Sequence, residues 1–356
     1  MTDIDFSRAL TDQVAEGIAQ RTPMAICGLR SKRFIADATT APTTLDISRH
    51  CGVIDYRPTE LVVTARAGTP LAALAAVLAG ERQSLACDPP RFGGAGTLGG
   101  AVASGFSGPA RPWLGSVRDA VLGVEMVNGR GERLKFGGTV MKNVAGFDLA
   151  RLNAGAWGTF GVLLAISIRV HPLPESTATQ CLELNAQDAQ KLLNAVQRKA
   201  LPITATVWHG GELRVRLQGS SAGVRHAQTL IGGAPATDAD SWSGVRDHNT
   251  LFFTQPTAAN LWCLSVPPAS SLANDAEMLI EWGGARRWLW SDAAPADIHA
   301  IVARHGGHAR CVRGPAAHPF TPLPASQVEY QQRLRAAFDP DSLFNPHLQL
   351  ITANAH

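Results

Sequence analysis

The sequence predicts an α+β protein of two successive domains, and three observations support this prediction. A chain of 356 residues is long enough for two packed domains of roughly 100–200 residues each. Apolar patterns with helical and strand spacing alternate along the chain, as is typical of mixed folds. A proline-rich stretch, His171-Pro172-Leu173-Pro174, separates two regions that differ in their pattern of predicted helices and strands. We therefore place a domain boundary at residue 174.

The first domain begins with a helix and a short buried strand. Four apolar residues at a spacing of four predict a helix over residues 5–20 that packs on a core. Met24–Cys27 is interpreted as a buried strand that ends at Gly28. A second strand is predicted over Leu61–Arg66, followed by a helix over Leu71–Ala79 that Thr69 caps.

The most unusual segment, Pro89–Gly108, holds seven glycines from Gly93 onward. Such density is tolerated only where the backbone must approach something closely. Glycine N–H groups that lead into a helix of small residues form a concave, positive site for phosphate oxygens. The alternative is a flexible linker, which is disfavoured because Leu98, Val102 and Phe106 recur at the spacing of a packed helix.

The remaining elements complete both domains. A β-hairpin is predicted over residues 120–136 with an Asn128-Gly129 turn, and a strand over Val162–Val170 closes the first domain. Two rounds of strands and helices follow, which predict an antiparallel sheet with helices on one face. The second round includes a helix around residues 275–281, and a final helix covers 327–338.

Composition and charge exclude several classes of protein. Apolar residues at 45% and charged residues at 17% exclude a disordered or collagen-like chain. A net charge of +3 is too small for a nucleic-acid binder. No apolar run approaches the ~20 residues of a membrane span, and no export signal is visible. The six cysteines lack the close spacing of zinc or iron–sulfur ligands, so we expect no metal site. They are Cys27, Cys51, Cys87, Cys181, Cys263 and Cys311. Without an export signal, we expect a cytoplasmic protein.

These segments, in order and over most of the chain, resemble the FAD-linked oxidases with a PCMH-type flavin domain. The resemblance is carried by residues 46–60 (DISRHCGVIDYRPTE), 64–71, 89–108, 111–113, 117–119, 136–152 and 155–163, and by the FDP…LFNP tail. The SGPARPW and FGGTVMKNVAGFDLARL stretches are particular to one branch of that family, the FAD-binding subunits of bacterial glycolate oxidases.

The resemblance implies the architecture of each part of the chain. Residues 1–174 would form a PCMH-type FAD-binding domain of two α/β subdomains. Residues 175–325 would form an α+β cap domain with an antiparallel sheet, which holds the substrate. Residues 326–356 would form a C-terminal helix and tail that return to the FAD domain.

The resemblance also implies a non-covalent FAD, because neither phosphate-binding loop contains a histidine and only Cys27 borders one. The backbone N–H groups of Gly28–Lys32 and Gly93–Gly100 would hold the pyrophosphate. The family members that this chain resembles have three consecutive glycines in the first loop. This chain has Gly28 followed by Leu29 and Arg30 instead. These residues must therefore form the loop without a positive φ, or Arg30 contributes charge to the phosphates.

The residues that would contact FAD include the stretch Gly155–Val162, although Gly161 could instead merely precede a strand. The full set is Gly28, Leu29, Arg30, Ser31, Lys32, Pro89, Gly93, Gly94, Gly96, Thr97, Leu98, Gly99, Gly100, Ala103, Gly105, Asn143, Gly146, Asp148, Gly155, Gly158, Gly161 and Val162. Lys142 lies where the family approaches the flavin ring, and a cation there would stabilise the reduced anionic form. A solvated pair of Lys142 with Asp148 is equally compatible with the sequence.

The catalytic residues are not identified. Oxidising a 2-hydroxy acid needs a cation for the carboxylate and a base for the hydroxyl proton. The metal-binding histidines of the related catalytic dehydrogenases have no counterpart here, which predicts no metal. Arg246 and His248, in an irregular stretch, and Lys142 are the candidates, with a solvated loop as the alternative for the first two.

Three functions follow from the resemblance. The first is the FAD-binding subunit of a glycolate oxidase (glycolate dehydrogenase) complex, which oxidises glycolate to glyoxylate. Electrons would pass through flavin to a separate iron–sulfur subunit, beside a homologous catalytic flavoprotein, in the cytoplasm or at a membrane through the complex. The alternatives are a self-sufficient FAD-linked 2-hydroxy-acid oxidoreductase and a structural scaffold with a degenerate flavin site. Two departures from the family pattern support the scaffold as an alternative. They are the altered first loop and the Ala156-Trp157 pair, where the family has Ser-Glu.

Overall fold

The computed structural model describes residues 3–35, 41–140, 147–236, 241–270, 277–318 and 320–348. The chain divides into two compact units. The first unit comprises Met1–Ser107, Gly115–Pro172 and Pro322–Ala355, and the second comprises Gly108–Leu114 and Leu173–Thr321. Apart from the short segment Gly108–Leu114, the chain passes from the first unit to the second inside the proline-rich stretch, after Pro172.

The helices and strands follow one another in a mixed order. Up to Pro172 they are α1 (Ser7–Ala19), β1 (Met24–Cys27), β2 (Thr43–Asp46), β3 (Val53–Arg57), β4 (Val62–Arg66), α2 (Leu71–Gly80), β5 (Gln83–Leu85), α3 (Leu98–Ser104), α4 (Arg111–Leu114), α5 (Val117–Ala120), β6 (Val121–Val127), β7 (Arg133–Gly137), α6 (Leu149–Leu152) and β8 (Val162–Pro172). After it they are β9 (Ser176–Glu183), α7 (Ala186–Gln197), β10 (Ile203–His209), β11 (Glu212–Gly219), α8 (Ser221–Ile231), β12 (Ala234–Pro235), α9 (Ser241–Arg246), α10 (Leu251–Thr254), β13 (Leu261–Ser265), β14 (Leu279–Glu281), β15 (Arg286–Trp290), α11 (Pro295–Arg304), β16 (His308–Arg313) and α12 (Ala325–Phe338).

The first unit is built on an antiparallel sheet in the order β3-β4-β8-β6-β7, with β5 added along β8. The central strand β8 is buried along most of its length, which its nearly continuous apolar sequence explains. Strands β1 and β2 form a separate parallel pair. Leu98 and Val102 of α3 are fully buried in the core of this unit, so the predicted helix in the glycine-rich segment is confirmed.

The C-terminal tail packs along β1. Leu343 O accepts a hydrogen bond of 2.8 Å from Met24 N, and Phe344 forms an isolated parallel bridge with Met24. The tail is held in this course by the buried Asp339, whose carboxylate accepts bonds of 3.0 and 2.9 Å from the N–H groups of Leu343 and Phe344. The tail thus contributes residues next to the end of β1.

The second unit contains an eight-stranded sheet in the order β12-β9-β11-β10-β14-β15-β13-β16. Each pair of neighbouring strands in this sheet is antiparallel, which confirms the sheet type that the sequence predicts. One face packs against apolar side chains of α7, α8 and α11. The opposite face, which alternation along the strands defines, carries the charged Glu281 and Arg286 together with the apolar Leu279 and Trp288.

Three local predictions are wrong. The helix expected around 275–281 is not found in the described part of that range, where Leu279–Glu281 forms β14, because burial between β10 and β15 outweighs local propensity. Thr69 does not cap α2, since its hydroxyl bonds to the backbone N–H and carbonyl of Gly52. The β6–β7 hairpin is confirmed, but its turn is a longer loop in which Asn128 Oδ1 accepts from the N–H groups of Arg130 and Glu132.

Candidate functional site

The first unit contains a pocket where the end of β1, the start of α3 and the C-terminal tail meet. It encloses about 920 Å³ of empty space, part of it open to solvent. We call it the first-unit pocket. Its lining residues are Ile26, Cys27, Gly28, Leu29, Arg30, Ser31, Lys32, Arg33, Ile47, Thr97, Gly99, Gly100, Ala103, Ser104, Trp157, Gly158, Gly161, Leu163, Asn345, His347 and Leu348.

The loop after β1 forms one wall of the pocket. A Cβ on Gly28 would lie 2.9 Å from Thr97 Oγ1, so a larger residue there would displace the Thr97 side chain. Arg30 has a φ of 55°, so the expectation that the loop forms without a positive φ is wrong. Arg30 thus holds a left-handed conformation that favours glycine, at a cost of about 1–2 kcal/mol for a residue with a Cβ.

The start of α3 forms the facing wall. Thr97 caps the helix by accepting a 3.1 Å bond from Gly100 N, and Gly99 N donates a 2.7 Å bond to Ala67 O. Leu98 N likewise donates to Thr69 O at 2.9 Å. These three backbone N–H groups are engaged within the chain, although the sequence predicts that they bind pyrophosphate. The Thr97 hydroxyl still has its own proton to donate into the pocket.

Lys32 is a cation at the pocket with no ion pair among the described residues. Its Nζ lies 5.6 Å from the ring centroid of Phe92 and 3.8 Å from the position that a Cβ on Gly100 would occupy. Desolvation lowers the pKa of Lys32 to about 8. An ammonium group in such surroundings favours binding of an anion, because the anion restores the lost solvation.

The C-terminal tail and Trp157 close the pocket. Asn345 Oδ1 accepts a 2.9 Å bond from Ile26 N, and its Nδ2 donates a 2.7 Å bond to Trp157 O. Asn345 and Trp157 have φ values of 43° and 52°, so together with Arg30 they place three strained non-glycine residues in the pocket wall. Backbone strain of this kind concentrates at functional sites.

The pocket brings together half of the residues predicted to bind FAD. Those that line it are Gly28, Leu29, Arg30, Ser31, Lys32, Thr97, Gly99, Gly100, Ala103, Gly158 and Gly161. Those that do not are Pro89, Gly93, Gly94, Gly96, Leu98, Gly105, Asp148, Gly155 and Val162. Leu98 and Val162 are fully buried in the core, and Asp148 instead caps α6 by accepting from Arg151 N at 3.1 Å. Lys142, Asn143 and Gly146 lie outside the described residues.

The two catalytic candidates in the second unit, Arg246 and His248, both contact neighbouring side chains. Arg246 forms a 2.7 Å ion pair with Asp247. His248 stacks on Phe253 with ring centroids 4.0 Å apart and meets Trp288 edge-to-face at 4.6 Å. Burial, with two arginines nearby, lowers the pKa of His248 well below its usual value. His248 is therefore a neutral, packed ring.

Sequence reasoning missed most of the apolar and C-terminal part of the pocket. The lining residues outside the predicted set are Ile26, Cys27, Arg33, Ile47, Ser104, Trp157, Leu163, Asn345, His347 and Leu348. Asn345 belongs to the LFNP tail that the resemblance already singles out, so its presence near β1 could have been inferred from that motif. Desolvation raises the pKa of Cys27, which keeps this thiol protonated.

The residues of the pocket fit a flavin dinucleotide. One part of the wall is cationic and polar, with Lys32, Ser31 and Thr97, as a diphosphate requires. Another part is apolar, with Ile26, Leu163 and other side chains, as an aromatic ring system requires. Within the described ranges, no helix is long and apolar enough to cross a membrane, and no three His, Cys, Asp or Glu side chains lie together as metal ligands.

Comparison with known proteins agrees with this geometry. A family model described as an FAD binding domain matches residues 11–137. Glycolate oxidase subunit GlcE of Escherichia coli K12 is 42% identical over 348 residues, which cover 97% of this chain and 98% of that protein. Glycolate oxidase subunit GlcD of Bacillus subtilis is 33% identical over 110 residues, 30% of this chain and 23% of that protein. The structure of an alkyldihydroxyacetonephosphate synthase matches 95% of this chain and 75% of that chain, with a TM-score of 0.68 and 14% identity.

Proposed function

The chain belongs to the family of the glycolate oxidase subunit GlcE, and we propose that it carries non-covalent FAD in the first-unit pocket as one subunit of a glycolate-oxidising complex. It is an FAD-dependent oxidoreductase, and its fold is that of the PCMH-type flavin oxidases. The complex would convert glycolate to glyoxylate, and FAD held by the pocket residues would supply an acceptor for the two electrons of this oxidation.

The observation that carries the proposal is the cation Lys32 at the wall of a pocket built around Gly28. Lys32 supplies the charge for the diphosphate, and Ser31 and Thr97 supply hydroxyl donors. Gly28 keeps the loop close to α3, so that the cofactor can lie against the backbone. Trp157 and Asn345 hold the apolar wall in a fixed geometry.

Electrons leave the flavin through another protein in this proposal. The six cysteines are widely separated in sequence, and among the described residues no three His, Cys, Asp or Glu side chains lie together as metal ligands. An iron–sulfur subunit and a homologous catalytic flavoprotein are therefore the partners that we infer, in the cytoplasm or at a membrane through the complex. Non-covalent attachment is supported by Cys27, whose raised pKa keeps the pocket thiol from acting as a nucleophile.

Two alternatives lead to different results in one experiment. The full chain is purified alone, its visible spectrum is recorded, and glycolate is added without oxygen. Flavin bands that stay oxidised alone, and bleach after the two partner subunits are added, support the proposed subunit. Bands that bleach in the chain alone support a self-sufficient oxidoreductase. A colourless chain that binds no added FAD supports the scaffold.

Attachment of the flavin is tested on the same sample. Acid precipitation releases non-covalent FAD into the supernatant, where its absorption measures one cofactor per chain. Flavin that stays with the protein pellet would contradict the non-covalent proposal. His347, the histidine of the pocket wall, would then be the residue to replace first.

A further inference from the structure

Phe92, in the glycine-rich segment, has a strained backbone although it does not line the first-unit pocket. Its φ is 43°, in the left-handed region that residues with a Cβ rarely adopt. Gly93 and Gly94 follow with φ values of 74° and 81°, so three consecutive residues turn the chain in the same sense. The two glycines are exposed, whereas only 8% of the Phe92 surface is exposed. The turn therefore directs the Phe92 ring into the protein.

The Phe92 ring packs between two other aromatic rings. Its centroid lies 5.0 Å from that of Phe34, with an angle of 77° between the ring planes, and 5.7 Å from that of Phe106, with an angle of 83°. Both contacts are edge-to-face, a geometry that aromatic pairs prefer. Phe106 in turn meets Trp157 of the pocket wall edge-to-face at 6.0 Å. Surrounding contacts of this kind are what can maintain a strained backbone conformation.

The ammonium group of Lys32 is a third neighbour of the Phe92 ring. Lys32 Nζ lies 5.6 Å from the ring centroid, within the roughly 6 Å range of a cation–π contact. Lys32 belongs to the loop after β1, so this contact joins that loop to the glycine-rich segment. Phe34, two residues after Lys32, contacts the same ring. The chain that follows β1 is thus attached to Phe92 at two points.

An aromatic ring suits Lys32 better than an acid would. Desolvation, which lowers the pKa of Lys32, disfavours the charged amine, and the face of an aromatic ring compensates in part through its negative potential. A carboxylate in the same place would pair with the amine and compete with an incoming anion. Among the described residues that line the pocket there is no Asp or Glu, and the other charged or titratable side chains are those of Cys27, Arg30, Arg33 and His347.

We propose that Phe92 is a positioning residue for the cofactor, whose ring holds the Lys32 ammonium group at the pocket wall, where Lys32 meets the diphosphate of FAD. Phe92 acts through Lys32, because Phe92 itself does not line the pocket. This role rests on the proposed function, which supplies the diphosphate. It also gives Gly93 and Gly94 a role other than the predicted contact with FAD, since they form the turn that directs Phe92 inward.

The contact between Phe92 and Lys32 is tested first on the full chain without flavin. The chain has five lysines, so labelling lysine with ¹³C at Cε gives few NMR signals, and Lys32→Met identifies the signal of Lys32. In the original chain this signal should titrate near pH 8, and the ring current of Phe92 should displace it upfield. Phe92→Leu should remove the displacement and lower the titration midpoint by about half a pH unit, because the ring face favours the charged amine.

A second variant keeps the packing of the ring. Replacing Phe92 by 3,4,5-trifluorophenylalanine preserves an aromatic ring of similar shape but removes the negative potential of its face. This variant should lower the Lys32 midpoint as Phe92→Leu does, even where Phe92→Leu impairs folding. Phe136→Leu is the matched control, because Phe136 also makes an edge-to-face contact in the first unit, 6.0 Å from Phe338. The control should leave the Lys32 midpoint unchanged.

The effect on the cofactor is measured by quenching of flavin fluorescence. Phe92→Leu and the fluorinated variant should weaken FAD binding about threefold to tenfold and leave the affinity for riboflavin, which lacks the diphosphate, unchanged. In Lys32→Met the same changes at Phe92 should weaken FAD binding no further, because the ring acts through Lys32. A ring with only a structural role would weaken FAD binding equally with and without Lys32. Phe136→Leu should keep the original affinity for FAD.

Two results would overturn the role of Phe92. The first is a Lys32 midpoint that neither variant at Phe92 changes, and the second is an equal loss of FAD affinity in the original chain and in Lys32→Met. A failure of the proposed function looks different, because the Lys32 signal then shows the contact with the ring while the original chain binds no FAD. That result would overturn the cofactor role of Phe92 together with the proposed function.

Discussion

Replacing Lys32 by methionine should stabilise the flavin-free chain and weaken its binding of FAD. The pKa of Lys32 falls from 10.5 to about 8 through desolvation. At 1.36 kcal/mol for each pKa unit, the penalty for burying the charged amine is about 3 kcal/mol. Solvent around the partly exposed side chain reduces it to roughly 1–2 kcal/mol. Lys32→Met removes the penalty, so the free energy of unfolding without flavin should rise by about that amount near pH 7.

The sign of the pH dependence follows from the two pKa values. Below pH 8 the amine is charged in both states, and the folded state bears the whole penalty. From pH 8 to 10.5 the folded amine loses its proton first, so the original chain gains stability relative to Lys32→Met. Urea unfolding near pH 7 and near pH 9.5 should therefore show a difference between the two proteins that is smaller at the higher pH.

The effect on FAD has the opposite direction. Loss of a charge-assisted contact to the diphosphate should weaken FAD binding by about tenfold to a hundredfold, measured by quenching of flavin fluorescence. Riboflavin, which lacks the phosphates, should keep its affinity, and the exposed Lys199→Met should behave as the original chain. Unchanged FAD affinity in Lys32→Met, or an equal loss of riboflavin affinity, would refute the assignment of the cation to the diphosphate.

Three further predictions concern the wall of the first-unit pocket and are measured by urea unfolding. Arg30→Gly should stabilise the chain by about 1 kcal/mol because it relieves a φ of 55°, and lower stability would contradict the strain. Asn345→Ala should cost about 2–3 kcal/mol and weaken FAD binding, since two buried hydrogen bonds are lost, and an unchanged midpoint would contradict this. Gly161→Ala should cost about 3 kcal/mol or more, because its Cβ would lie 2.2 Å from Val127 O, whereas Gly138→Ala, with open space around it, should change little.

The glycine-rich segment shows why part of the fold could be predicted. Leu98 and Val102 repeat at helical spacing, and helical spacing is a local property that survives in the folded chain. β14 shows the limit, because Leu279–Glu281 becomes a strand only through pairing with β10 and β15. No local pattern records those partners.

The candidate site could be predicted only in part for the same reason. The residues of the loop Gly28–Lys32 are consecutive in the sequence, and their types predict a phosphate-binding site. Trp157 and Asn345 are 188 positions apart, and nothing in the local sequence around Trp157 indicates that its carbonyl accepts a hydrogen bond from the Asn345 side chain. The φ of 55° at Arg30 is a further feature that its residue type does not indicate, because this region favours glycine.

The most direct test of the central claim is the flavin content of the purified chain, read from its visible absorption and from the FAD released by acid. The account predicts one FAD per chain for the original protein and loss of FAD on dilution for Lys32→Met. A colourless original chain that takes up no added FAD would contradict the account, because the pocket around Lys32 would then have no flavin to hold.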